Sequence, residues 1–355
     1  MTNLILTLDY EVFGDGTGDV FKHVIEPTKR MLQICDKYGI KVTIFVEAIE
    51  YIKIKEEWNK GNKMGYVISP VEAIDNQIRN AALDGHDIQL HLHPQWANAK
   101  YANDKWELDF SNWRLGDFHS SDEHPIKDLL RRGITDLENI IKPVLPTYKC
   151  IALRAGGYNV MPSSEVYTAM KELGLKIDSS IYPGGYENGT LSKYDYRMVP
   201  RELDFWWADK TDMRKKAHTN KEILEFPIFA LPVPRWKKVM TLSRLKSLLN
   251  KKNGKISSVT KEKIVSKTYY EKIKFILQKE VYTWDACMFS KALHDKFFTH
   301  IEKYFFVGYR NNFVLIGHPK SLEDENLFTS FIQMAIDRKK EYKFITLHQA
   351  YANIS

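Results

Sequence analysis

Two short strings bring together residues that could do chemistry: Asp9-Tyr10-Glu11 and His91-Leu92-His93. Two carboxylates and two imidazoles are ligand types for a divalent transition metal, with one carboxylate left over to act as a base. Each string closes an apolar run, Leu4-Ile5-Leu6-Thr7-Leu8 before the first and Asp87-Ile88-Gln89-Leu90 before the second. Short runs bounded by polar or turn residues read as β-strands. Side chains alternate along a strand, so Asp9 and Glu11 share a face, as do His91 and His93. Either string alone arises readily by chance, since acidic residues often close surface strands. Their joint placement at strand C-termini, where α/β folds carry their chemistry, is the signal.

The elements that must position these residues alternate along the chain. Strand 4–11 is followed by a helix near 24–38 ended by Gly39, then strand 41–47. A helix near 70–84, opened by Ser69-Pro70 and ended by Gly85, leads to strand 87–93. A loop holding Trp96, Trp106 and Trp113 runs to about residue 122. A helix near 125–141, a strand around 148–154, a helix near 162–173 and strand 175–178 follow. Region 205–300 breaks the rhythm, with Gly254 in a polar turn and helix-like stretches near 260–279 and 286–303. The pattern resumes with Phe313-Val314-Leu315-Ile316-Gly317, a helix near 323–338 and strand 343–347. This alternation predicts a parallel sheet, open or closed into a barrel. The expected organisation is one α/β domain over 1–355, with a Lys-rich insertion at about 205–300.

Composition narrows the function classes. The chain has 355 residues, 44% of them apolar, which is ordinary for a globular core. No apolar stretch approaches the roughly 20 residues needed to span a bilayer. No signal peptide is visible, and Asp9 stands too near the start for a leader to be removed without losing it. Cys35, Cys150 and Cys287 are far apart and lack metal spacing, so they read as free thiols in a reducing cytoplasm. The net charge of +7 is concentrated in 237–279, with thirteen Lys or Arg against Glu262 and Glu271. Such a segment reads first as a solvated helical face and second as a contact for anionic membrane or phosphate. No nucleic-acid-binding motif accompanies it.

Three further strings sit at expected strand ends: Leu153-Arg154-Ala155-Gly156-Gly157-Tyr158, Ile177-Asp178-Ser179-Ser180 and Gly317-His318-Pro319. With the first two, their order and spacing resemble the NodB-type polysaccharide deacetylases, carbohydrate esterase family 4. Gly85-His86-Asp87-Ile88-Gln89-Leu90-His91 is similar to the family's lead-in to its metal histidines, and Lys41-Val42-Thr43-Ile44-Phe45-Val46 to its second strand. The likeness runs from Leu4 to about Leu347, apart from the insertion, and is nearest the branch found in lipopolysaccharide O-antigen gene clusters.

The resemblance implies a distorted (β/α)7-type barrel and metal-assisted hydrolysis of N-acetyl or O-acetyl groups on sugars, most simply with Zn2+. It implies Asp9 as general base, Glu11, His91 and His93 as metal ligands, and Arg154 as the residue orienting the base. It implies His318 as the acid for the leaving group and Asp178 as the carboxylate tuning that histidine. Three departures stand out. Tyr10 separates two acids that are adjacent in the family. The histidines are two apart rather than four. Gly156 replaces the proline expected after the arginine. The first two keep each pair on one strand face, and they leave open which carboxylate is the ligand and which the base.

The residue chemistry stands without the family. A divalent metal acidifies water, Asp9 can take the proton, and Arg154 would keep Asp9 ionised. The N–H of Gly157 or Tyr158 could stabilise a developing oxyanion, and His318 could protonate an amine. Trp96, Tyr158 and Trp206-Trp207 could stack on sugar rings or belong to the core. His119, His124 and His348 read as surface or loop residues. The resulting expectation is a cytoplasmic carbohydrate deacetylase, a hydrolase of non-peptide C–N bonds, acting on a saccharide that is nucleotide- or lipid-linked in one version. The rivals are a deformylase, an O-deacetylase, a metal-free ring amidohydrolase, or a glycan-binding relic without catalysis.

Overall fold

The structure is a computed structural model describing residues 2–235, 278–304, 312–338 and 342–354. Its strands are β1 (Thr2–Tyr10), β2 (Thr43–Glu47), β3 (Asp87–Leu92), β4 (Lys100–Ala102), β5 (Lys105–Glu107), β6 (Ala152–Ala155), β7 (Ile177–Asp178) and β8 (Tyr186–Asn188). They continue with β9 (Lys193–Asp195), β10 (Trp206–Trp207), β11 (Leu224–Glu225), β12 (Ala230–Pro234), β13 (Lys279–Thr283), β14 (Asn312–Gly317) and β15 (Tyr342–Phe344). The helices are α1 (Glu26–Lys37), α2 (Ala48–Asn59), α3 (Pro70–Leu83), α4 (Pro125–Ile141), α5 (Ser164–Leu173), α6 (Lys291–Tyr304), α7 (Glu325–Asp337) and α8 (Leu347–Ala352).

The main sheet runs β10-β11-β7-β6-β3-β2-β1-β14, with β15 also on β1, and curls into a half-barrel. Its inner pairings are parallel; β10 alone pairs antiparallel, with β11. Leu4, Ile5, Leu6 and Leu8 of β1 are fully buried, so both faces of the strand are covered. That is why β1 reads as a continuous apolar run rather than an alternating one. Register then places chemistry. Glu47, His91 and Arg154 lie side by side across β2, β3 and β6, and Leu8 stands opposite Gly317.

Beyond β14's pairing with β1, two isolated parallel bridges reach Val314 and Ile316, from Ile228 and Asp285. The Phe229 N–H donates to Val314 O at 2.8 Å and the Ala286 N–H to Ile316 O at 2.8 Å. The Ile228 N–H donates to Ile181 O, just past β7, at 2.9 Å. So within the stretch expected as an insertion, β10 and β11 belong to the main sheet, and residues 228 and 285 touch β14. Of the helix-like stretch near 260–279, residues 260–277 lie outside the described residues, as does nearly all of the basic segment, while Lys279 opens β13.

The elements differ from expectation in three places. Helix α2 is not apparent in the sequence, because Ile52-Lys53-Ile54-Lys55 alternates like a strand. Its start is set by Glu47, whose side chain accepts the N–H groups of Ile49 and Glu50. The strand expected at 343–347 ends at Phe344, and the chain turns into α8. Thr346 Oγ1 accepts the Gln349 N–H while Gln349 Oε1 accepts the Thr346 N–H, a reciprocal cap that starts a helix. The Trp-rich loop contains the β4–β5 hairpin, turned by Asn103 and Asp104, both with positive φ (52° and 57°).

Candidate metal centre

Asp9 and Glu11 leave the end of β1 on one face, while Tyr10 points the other way and donates its hydroxyl to Gln77 Oε1. His91 and His93 leave the end of β3 in the same manner. The two pairs meet. Glu11 Oε2 lies 3.4 Å from His91 Nε2 and 2.8 Å from His93 Nε2, and the three ligand atoms fall within 4.8 Å of one another. All three residues are buried.

The donor set fits a divalent transition metal. His91 Nδ1 is 2.9 Å from the Arg154 carbonyl oxygen, which can only accept, so Nδ1 carries the proton and Nε2 keeps its lone pair. The Nε2 atoms of both histidines are buried without a hydrogen-bonding partner, aimed at Glu11. The Gln95 side chain backs His93, its amide 2.9 Å from Nδ1. Gln95 Oε1 is itself buried without a partner; turned over, it would accept from Nδ1–H and free Nε2 for ligation. Gly156 lies against the His93 ring, and a Cβ there would run into it. A glycine at this position therefore has a steric reason.

Asp9 sits 4.0 Å from His91 Nε2 and is held from behind. Arg154 Nη1 donates to Asp9 Oδ1 at 2.7 Å and to Thr7 Oγ1 at 2.7 Å, while its Nε donates to Ser179 O at 2.9 Å. The guanidinium also stacks 4.2 Å over the Phe45 ring. Burial raises the Asp9 pKa, but Arg154, His91 and His318 together outweigh it, and the carboxyl ends below its usual value. Glu11 is held well below the usual range: burial raises it, and Lys320, His93 and His91 overcome that. Burial lowers His93 against the pull of Glu11, which suits a neutral ligand.

His318 follows β14, with Nε2 3.7 Å from Asp9 Oδ2 and Nδ1 2.8 Å from Asp285 Oδ2. Burial lowers its pKa, yet Asp285 and then Asp9 raise it further, so the imidazole is the more readily protonated. The carboxylate beside His318 is therefore Asp285 rather than the expected Asp178. Asp178 is fully buried on β7 and accepts from the Ser180 hydroxyl at 2.7 Å. Ser180 Oγ in turn accepts the Ala155 N–H at 2.8 Å. Asp178 thus braces the turn after Arg154 instead of the histidine. Asp285 is presented by Trp284, which is fully buried and donates its Nε1–H to His294.

The turn after β6 holds Gly157 and Tyr158 in left-handed conformation, with φ of 56° and 64°. Tyr158 lies near Asp9 and Asp285 and stacks edge-on to Tyr182 at 4.8 Å. Trp96 is 1% exposed, packed against Trp106, so it offers no face to a sugar. The tryptophan beside the centre is Trp113, with its ring 6.3 Å from that of His93. Lys320, also unanticipated, donates to Glu11 Oε1 at 2.8 Å and to Val12 O at 2.7 Å.

No protein-family model and no curated protein sequence matches the chain. A solved structure assigned as a polysaccharide deacetylase of Mycobacterium smegmatis aligns at TM-score 0.51 and 13% identity, over 99% of this chain and 89% of its own. An allantoinase, Puue, aligns at TM-score 0.48 and 12% identity, over 98% and 88%. A polysaccharide deacetylase of Bacillus cereus aligns at TM-score 0.30 and 16% identity, over 51% and 61%. The chain thus has the mixed α/β fold of the first of these.

Proposed function

We propose that this protein is a metal-dependent hydrolase that removes an N-acetyl or related acyl group from a sugar in surface-polysaccharide synthesis. One observation carries the reading. Asp9 and His318 face each other beside the Glu11–His91–His93 cluster, one braced by Arg154 and the other by Asp285. A pure binding site has no use for a base and an acid each oriented by its own counter-charge. The cation, most simply Zn2+, would be held by Glu11, His91 and His93. Bound there, it would polarise the acyl carbonyl and acidify water.

The chain's own residues do the rest. Asp9, kept ionised by Arg154, takes a proton from the attacking water. His318, protonated at Nε2 through Asp285, gives a proton to the departing amine. The turn at Gly157 and Tyr158, braced by Asp178 through Ser180, is assigned to face the acyl oxygen. Tyr158 and Trp113 form the wall for the sugar.

The wider proposal is a single distorted (β/α)7-type barrel, for which the bridges from β14 to residues 228 and 285 are support. Among the described residues no helix is long and apolar enough to cross a membrane. The three cysteines are free and buried. Cytoplasmic action on a nucleotide- or lipid-linked saccharide of the O-antigen type is proposed with them. Acetate release from a panel of N-acetylated and O-acetylated nucleotide sugars tests the reading. A panel turned over by the wild type and not by Asp9→Asn supports it. Binding of the same sugars without any release favours the glycan-binding rival.

A further inference from the structure

Glu11 has two oxygens with different neighbours. Oε2 faces His91 and His93, while Oε1 receives the Lys320 amine at 2.8 Å. The same amine donates to the Val12 carbonyl at 2.7 Å, and Glu50 accepts the Val12 N–H at 3.1 Å. The Glu11–Val12 backbone is thereby held from both sides. Lys320 itself is confined: its side chain is 11% exposed, and Nζ lies 5.7 Å from the Phe13 ring centroid. It stands on the turn Pro319–Ser321, immediately after His318 and Pro319.

A carboxylate can ligate a metal through one oxygen or chelate it through both. We propose that Lys320 is a positioning residue that holds Glu11 to one-oxygen ligation, keeping a coordination position open and tying the turn of His318 to the metal ligands. This rests on the reading of Glu11, His91 and His93 as metal ligands. Losing the lysine would free Oε1 to chelate and remove a positive charge close to the cation. Both effects act in the same direction, toward tighter metal binding and a fuller coordination sphere.

The test uses Co2+ titrated into the metal-stripped full-length protein, with affinity from chelator competition and coordination from the visible d–d spectrum. Lys320→Met should bind Co2+ more tightly, by about tenfold or more given a charge removed at such short range. Its visible bands should weaken relative to the wild type, as coordination number rises. Lys320→Arg, which keeps a cationic donor, should retain the wild-type spectrum and show that the turn folds. Unchanged or weaker binding by Lys320→Met, with the wild-type spectrum, would overturn the assignment. The underlying metal reading fails separately, if His93→Ala binds Co2+ as well as the wild type does.

Discussion

Asp9 Oδ2 and His318 Nε2 stand 3.7 Å apart, each with a partner behind it, Arg154 on Asp9 and Asp285 on His318. In the proposed hydrolysis the two divide the labour as base and acid, and the division can be tested by changing each partner.

The proposed reading gives Asp9 and Glu11 different jobs, base and metal ligand. Asp9→Asn should keep the metal and lose turnover by at least about 10²-fold, the usual scale of general base catalysis. Glu11→Ala should weaken metal binding first. Metal content by elemental analysis, measured beside acetate release, separates the two. An Asp9→Asn protein stripped of metal, with Glu11→Ala still loaded, would reverse the roles.

Asp285 raises the His318 pKa, so Asp285→Asn should lower it and move the alkaline limb of the rate profile to lower pH. The stability sign agrees. A histidine raised above 6.5 contributes stability that is complete below 6.5 and fades as pH climbs through its folded value. His318→Ala should damage hydrolysis of an amide far more than that of an activated aryl ester, whose leaving group needs no proton. Equal losses on both substrates would leave His318 a shaping role only. His348 is a poor substitute, since its N–H donates to Asp87 at the opposite end of β3.

Arg154→Met removes the partner of a buried carboxylate. Breaking such a pair costs about 3–5 kcal/mol, so thermal and urea melts should show a large loss. The loss depends on pH. The lowered Asp9 pKa contributes stability above its usual 3.8 that disappears as pH falls through the folded value. The gap between mutant and wild-type melts should therefore narrow in strong acid. Melts that stay equally far apart at every pH would show that the arginine acts through its neutral partners, Thr7, Ser179 and Phe45, and not through the Asp9 charge.

Gly156→Ala puts a Cβ into the His93 ring. Overpacking of this kind costs about 1–3 kcal/mol, and here it also moves a proposed metal ligand. Weaker Zn2+ binding together with a lower melting temperature is expected. Unaltered metal affinity would mean that the turn yields instead of the histidine.

Much of the centre was legible because strand-end periodicity is local. Asp9 with Glu11, and His91 with His93, need only alternation to share a face, and parallel register does the rest. Arg154 and His318 also close apolar runs. What could not be read depends on chain crossings. Asp285 reaches His318 because Trp284–Cys287 packs along β14, in a stretch where the strand–helix rhythm breaks and the sequence reads as an insertion. Lys320 carries no motif at all; only the turn after His318 aims it at Glu11. Asp178 closes a strand as a carboxylate tuning His318 would, but it is buried on β7 and accepts from the Ser180 hydroxyl instead. For Trp96 the sequence leaves sugar stacking and core equally open; its burial against Trp106 places it in the core.

The most direct measurement is acetate release by protein stripped with a chelator and then titrated with Zn2+. Activity should vanish on stripping and return in proportion to Zn2+, saturating near one ion per chain, with no return in His91→Ala plus His93→Ala. Full activity in the stripped protein would contradict metal-dependent deacetylation by this centre.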